Sequence, residues 1–194
     1  MEYSWNCIFG LCEIITIFDL DGTLFDTSYV NYYAYKAALK ELRYDLSHSF
    51  YVEKWNGKYY KDFLPLIVLN TEEIEKIHKL KKKFYCKYLD KAVLNEHLFA
   101  IIESLRGKYH MALVTTASRA NCMDILNFYK VSEKFDLIIM QEDVSKPKPD
   151  PEGYQKAMKY FSASPEDFII FEDSEDGIQA ALESGACLMK VERN

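Results

Sequence analysis

Glycine, proline and cysteine are all scarce in this chain, with 7, 5 and 5 copies among 194 residues. The cysteines are odd in number and scattered, with no Cys-x-x-Cys pair and no Cys/His cluster. That excludes a disulfide framework and a thiolate zinc site, and it fits a reducing compartment. No apolar run approaches the roughly 18 residues a membrane span needs, since Glu13 interrupts the stretch from Cys7 to Phe18. Glu2 stands where a secretory leader carries basic residues, so no signal peptide is expected. Positive charge is also in deficit. Lys and Arg number 24 against 30 Asp and Glu, a formal charge of -6, which argues against nucleic acid as a partner. With 49% hydrophobic residues there is ample material for a core, and disorder is excluded. The expectation is a cytoplasmic protein with no membrane or nucleic-acid partner, a monomer or weak homodimer.

Short apolar runs alternate with helical patterns. Strand-length runs occur at Ile14 to Phe18, Met111 to Val114, Leu137 to Met140, Phe168 to Phe171 and Cys187 to Met189. Their unbroken hydrophobicity marks strands covered on both faces. Between them, Leu98, Ile101, Ile102 and Leu105 share a helix face that Gly107 closes. Asp150-Pro151 opens a second helix, and Ser174 caps a third that stops at Gly185. Strand-helix alternation of this kind predicts an α/β fold, a Rossmann-like parallel sheet with helices on both faces. From about Ser28 to Leu94 only helical periodicity is found, with no convincing buried strand. The expected division is a core of 1–27 and 95–194 with an all-helical insertion at 28–94. Within it, Lys81-Lys82-Lys83 reads as a solvated helix face.

Chemistry concentrates at strand ends. Asp19 and Asp21 follow the first strand and alternate onto one side of the chain, with Gly22 giving the turn its freedom. Two carboxylates this close repel unless a proton or cation offsets them. Taken alone, an Asp-Gly turn with solvated acids explains the stretch as well as a site does. Its position favours a site, because open α/β sheets bind ligands at the carboxyl ends of their strands.

Asp19 to Asp26 matches in full the Asp-x-Asp-Gly-Thr-x-x-Asp signature, and the chain resembles the haloacid dehalogenase (HAD) superfamily. Thr115 resembles its second motif, Lys146 in Ser145-Lys146-Pro147 its third, and Glu172-Asp173-Ser174 with Gly177 its fourth. Lys146 is preferred to Lys148, which flanks the same Pro147. The resemblance implies a phosphatase acting on a small phosphorylated metabolite. Asp19 is then the nucleophile and Asp21 the general acid/base. Thr115 and Lys146 bind and neutralise the phosphoryl group. Mg2+ is held by Asp19, the Asp21 carbonyl and Asp173, with Glu172 close by. Thr23 and Asp26 brace the loop.

The helical insertion resembles the family's C1-type cap. Its stretch from Trp55 to Lys61 mixes aromatic and basic residues, and Lys58 is the candidate for reading the substrate; Thr116 and Asn31 complete the candidate binding set. Asn31 stands where β-phosphoglucomutase-like relatives carry a His, which weakens an isomerase reading. A silent binding protein of the same fold would have lost motif residues, and all are present here.

Overall fold

The computed structural model describes residues 14–55 and 60–192. Lys58, and the extension from Met1 to Glu13, lie outside the described residues. In chain order the elements begin with β1 (Ile15–Phe18), β2 (Phe25–Asp26), α1 (Ser28–Glu41), α2 (His48–Lys54), α3 (Tyr60–Phe63), α4 (Thr71–Tyr85) and β3 (Val93–Leu94). They continue with α5 (Glu96–Leu105), β4 (His110–Val114), α6 (Arg119–Phe128), β5 (Leu137–Ile139), α7 (Glu152–Phe161), β6 (Phe168–Glu172), α8 (Glu175–Ser184) and β7 (Cys187–Lys190). Among the described residues no helix is long and apolar enough to cross a membrane.

The described residues form two compact units, one within 14–24, 95–119 and 131–192, the other within 25–55, 60–94 and 120–130. The first is built on a five-stranded sheet of order β5-β4-β1-β6-β7, parallel throughout, and all five expected strands are in it. Central β1 is buried along its whole length, as its continuous Ile-Thr-Ile-Phe run requires. Ile17, Ala112, Tyr154, Ala157, Phe168, Ile170 and Ala181 form its core. Phe18 stacks on Phe171 across β1 and β6 with ring centres 4.8 Å apart. In α5 the inward face is Leu98, Phe99 and Ile102, so Leu98 and Ile102 of the expected stripe are buried while Ile101 is exposed.

The second unit is helical, with α1 packed along α4. Its core is aromatic, with Trp55 stacked on Phe63 at 4.3 Å and edge-on to Tyr35 at 6.0 Å. Tyr32, Tyr35 and Tyr51, three of the chain's 15 tyrosines, are buried in it. Asn70 caps α4 through Glu72 and Glu73, but Glu73 accepts the Tyr44 hydroxyl at 2.7 Å instead of closing a reciprocal box. Lys81 departs from the expected solvated face. It is 8% exposed, its Nζ 4.8 Å from the Tyr85 ring centre and 5.3 Å from that of Tyr35. Its apolar stem and the ring faces make that burial tolerable.

The stretch expected to hold no buried strand contains a short one that is not buried. β2 and β3 pair antiparallel, Phe25 against Leu94 and Asp26 against Val93. Two residues are too few for any periodicity to register. This pairing draws 25–27 into the helical unit, so the first boundary falls after Leu24 instead of residue 27. Residues 120–130 join the same unit, where Tyr129 donates to the Ala92 carbonyl at 2.7 Å and packs on Phe25.

Candidate active site

The register of the sheet assembles the site. Phe18 lies beside Leu113 of β4 and Phe171 of β6, so the residues that follow each strand emerge at one carboxyl edge. Asp19 leaves β1 with its amide bonded to the Phe171 carbonyl at 3.0 Å. Thr115 leaves β4, and Glu172 and Asp173 end β6.

Asp19 is 6% exposed, and its Oδ1 accepts from Lys148 Nζ at 2.7 Å. The same ammonium donates to Glu172 Oε1 at 2.6 Å and to the Val114 carbonyl at 3.0 Å, which uses all three of its protons. Lys148, not Lys146, therefore stands against the first aspartate. Lys146 is 73% exposed along its side chain and reaches only Asp150, at 3.5 Å. The cause is Glu152 at the start of α7. Its carboxylate accepts from the amides of Ser145 and Lys146, pinning that half of the loop outward before the chain turns in at Lys148.

Glu172 is fully buried and both its oxygens are taken. Oε1 accepts from Lys148 and from the Tyr154 hydroxyl at 3.2 Å, and Oε2 accepts from the amides of Asp173 and Ser174 and from the Ser174 hydroxyl. The room for it is made by Gly177, where a Cβ would lie 1.8 Å from Oε1. Asp173 is held from the other side. Thr23, also fully buried, donates to its Oδ1 at 2.8 Å, so Thr23 does brace the first motif. At Gly22, with φ of +97°, a Cβ would lie 1.9 Å from Asp173 Oδ2.

Burial is the largest influence on Asp19 and pushes its carboxyl up to about 8, Lys148 opposing while Glu172 and Asp21 add to the rise. Lys148 moves upward as well, because Asp19, Tyr154 and Glu172 outweigh its own desolvation. Two buried carboxylates share one ammonium, a deficit of positive charge.

Asp19, Glu172 and Asp173 each offer a carboxylate oxygen within 4.8 Å of one another. An all-oxygen set beside a glycine cradle suits a hard divalent cation. Asp19, Glu172 and Asp173 are the carboxylates this cluster offers to a cation, with Asp21 two residues beyond Asp19 in the chain. Glu172, expected close by the metal, also holds Lys148 and the β6-α8 turn.

The remaining candidates lie as follows. Thr115 is buried and its Oγ1 accepts from the Ala117 amide at 3.0 Å, whereas Thr116 is exposed. Asn31 belongs to the helical unit, where its amide donates to the Thr27 hydroxyl at 3.2 Å. Sequence reasoning preferred Lys146 to Lys148 and gave Tyr154 no part in the site. A buried tyrosine needs a hydroxyl partner, and its spacing from the Lys-Pro-Lys-Pro loop was the available signal.

Fold and site together define an α/β protein with a carboxylate cluster at the carboxyl edge of its parallel sheet. The chain belongs to the haloacid dehalogenase-like hydrolase family, whose model matches residues 16–191. It is 26% identical over 177 residues to the phosphorylated carbohydrates phosphatase of Thermotoga maritima, covering 87% of this chain and 80% of that one. It is likewise 26% identical over 180 residues to the pyrophosphatase PpaX of Bacillus cereus, covering 87% and 78%. In fold it is similar to the crystal structure of a predicted phosphoglycolate phosphatase from Haemophilus somnus, with a TM-score of 0.81 and 20% identity over 92% and 84% of the two chains.

Proposed function

We propose that the protein is a Mg2+-dependent phosphatase that hydrolyses a small phosphorylated metabolite through an aspartyl-phosphate. The observation that carries this is Asp19, buried at the end of β1 and bridged by Lys148 to Glu172. In the proposed reaction, an Asp19 carboxylate oxygen attacks phosphorus and the bond to the leaving oxygen breaks. Asp21 protonates that oxygen, then takes a proton from the water that attacks the aspartyl-phosphate, releasing inorganic phosphate and restoring Asp19. Lys148 supplies the positive charge that the earlier motif match assigned to Lys146, and Thr115 and Thr116 face the transferring phosphoryl group. Bound Mg2+, on Asp19, Asp173 and the Asp21 carbonyl, would neutralise charge on the phosphate. The resemblance gives the helical unit, most of it inserted in the chain between β1 and β4, the role of a cap, and Asn31 and Lys58 are its candidate substrate-reading residues. The phosphatase names of the relatives support the reaction class. Three free cysteines among the described residues support a cytoplasmic location.

The test is phosphate release from p-nitrophenyl phosphate and a panel of sugar phosphates, with Mg2+ present. Wild type is active and Asp19→Asn is not. An Asp19→Asn variant of full activity overturns the reading, and so does a wild type inert on the whole panel.

A further inference from the structure

Tyr154 touches the charged cluster twice. It sits on α7, 1% exposed, and donates its hydroxyl to Glu172 Oε1 at 3.2 Å. Its ring also lies under the Lys148 ammonium, with Nζ 5.1 Å from the centroid. Lys148 and Tyr154 thus meet on the same carboxylate oxygen, with the ring face close to the ammonium.

A core position asks only for an apolar ring. Phenylalanine would fill the same space without a hydroxyl to satisfy, so the hydroxyl answers to Glu172 and not to packing. The charge balance gives it a task. Glu172 and Asp19 compete for one ammonium, at 2.6 and 2.7 Å. A second donor on Glu172 Oε1 lowers that oxygen's demand on Lys148 and leaves more of the ammonium's charge on Asp19.

We propose that Tyr154 is a positioning residue for phosphoryl transfer, holding Lys148 between Glu172 and Asp19 without itself touching substrate. This rests on the phosphatase reading. Tyr154→Phe keeps the ring and removes the donor. In the presence of Mg2+ it lowers kcat for p-nitrophenyl phosphate about tenfold, with KM within about twofold of wild type. Inhibition by orthovanadate, whose trigonal-bipyramidal adducts mimic phosphoryl transfer, weakens by a similar factor. An inhibition constant does not depend on how much of the sample is folded, so it separates positioning from simple loss of protein. Tyr154→Leu, which removes the ring too, loses more of both.

If Tyr154→Phe matches wild type in kcat and in vanadate inhibition, the role is overturned and the phosphatase reading stands. The role is equally overturned if kcat falls along with thermal stability while the vanadate constant is unchanged. A wild type that releases no phosphate overturns the reading and this inference with it.

Discussion

Lys148 is the residue whose environment leaves least freedom. Two carboxylates and a carbonyl hold its ammonium at 3.0 Å or less, and only 8% of its side chain is exposed. Removing it strands two buried carboxylates, a loss on the order of 3–5 kcal/mol. Lys148→Ala is expected to abolish turnover, at least about a thousandfold in kcat, and to lower the melting temperature. Lys146→Ala, which loses only an exposed 3.5 Å pair, is expected to stay within about twofold of wild type in both measures. Equal losses in the two variants would contradict the assignment. The glycines make a second prediction. Gly22→Ala combines a disfavoured φ of +97° with a Cβ that collides with the Asp173 carboxylate. Because Asp173 cannot retreat without breaking its bond to Thr23, kcat is expected to fall by about a hundredfold or more. Steady-state kinetics on purified folded protein decides it.

At the scale of elements, the start of α7 fixes the loop that delivers Lys148. Glu152 accepts from Lys156 at 2.7 Å and from the amides of Ser145 and Lys146, and these three donors hold its carboxyl down at about 2. A carboxyl lowered in the folded state stabilises it above the ordinary pKa and loses that contribution as pH falls. The window is therefore from the usual value of 4.5 down to about 2. Glu152→Gln is expected to flatten the acid side of the stability curve there, measured by thermal melts across pH, and to lower kcat roughly three- to tenfold by freeing the loop. An unchanged acid limb would rule the clamp out. The same element shows what a sequence can and cannot disclose. Central β1 was legible because both its faces are buried, β7 by its short apolar run although it lies exposed at the sheet edge, and Ser174 and Gly185 because capping is local chemistry. The choice between Lys146 and Lys148 was not, since it depends on Glu152 reaching back over the loop. The β2-β3 pair was hidden for a related reason. Its partners are far apart in the chain and too short to carry a pattern.

For the molecule as a whole, the acidic surplus is unevenly placed. The helical unit carries more Lys and Arg than Asp and Glu, so the deficit of positive charge belongs to the sheet unit, where Asp19, Glu172 and Asp173 converge. Mutual repulsion among these groups is built into the fold and only partly offset by Lys148. A ligand that binds the folded state and not the unfolded one stabilises by mass action, about 2.7 kcal/mol at a hundredfold excess over its dissociation constant. Mg2+ is therefore expected to raise the melting temperature by several degrees, and a chelator to reverse the shift. Asp173→Asn tests whether this site is responsible. It relieves repulsion, so its melting temperature without metal is expected to equal or exceed that of wild type, while the Mg2+-dependent rise is lost. Calorimetric scans of both proteins, with Mg2+ and with chelator, give the four values required. A rise that survives in Asp173→Asn would move the cation away from the end of β6, and with it the charge balance on which the chemistry at Asp19 depends.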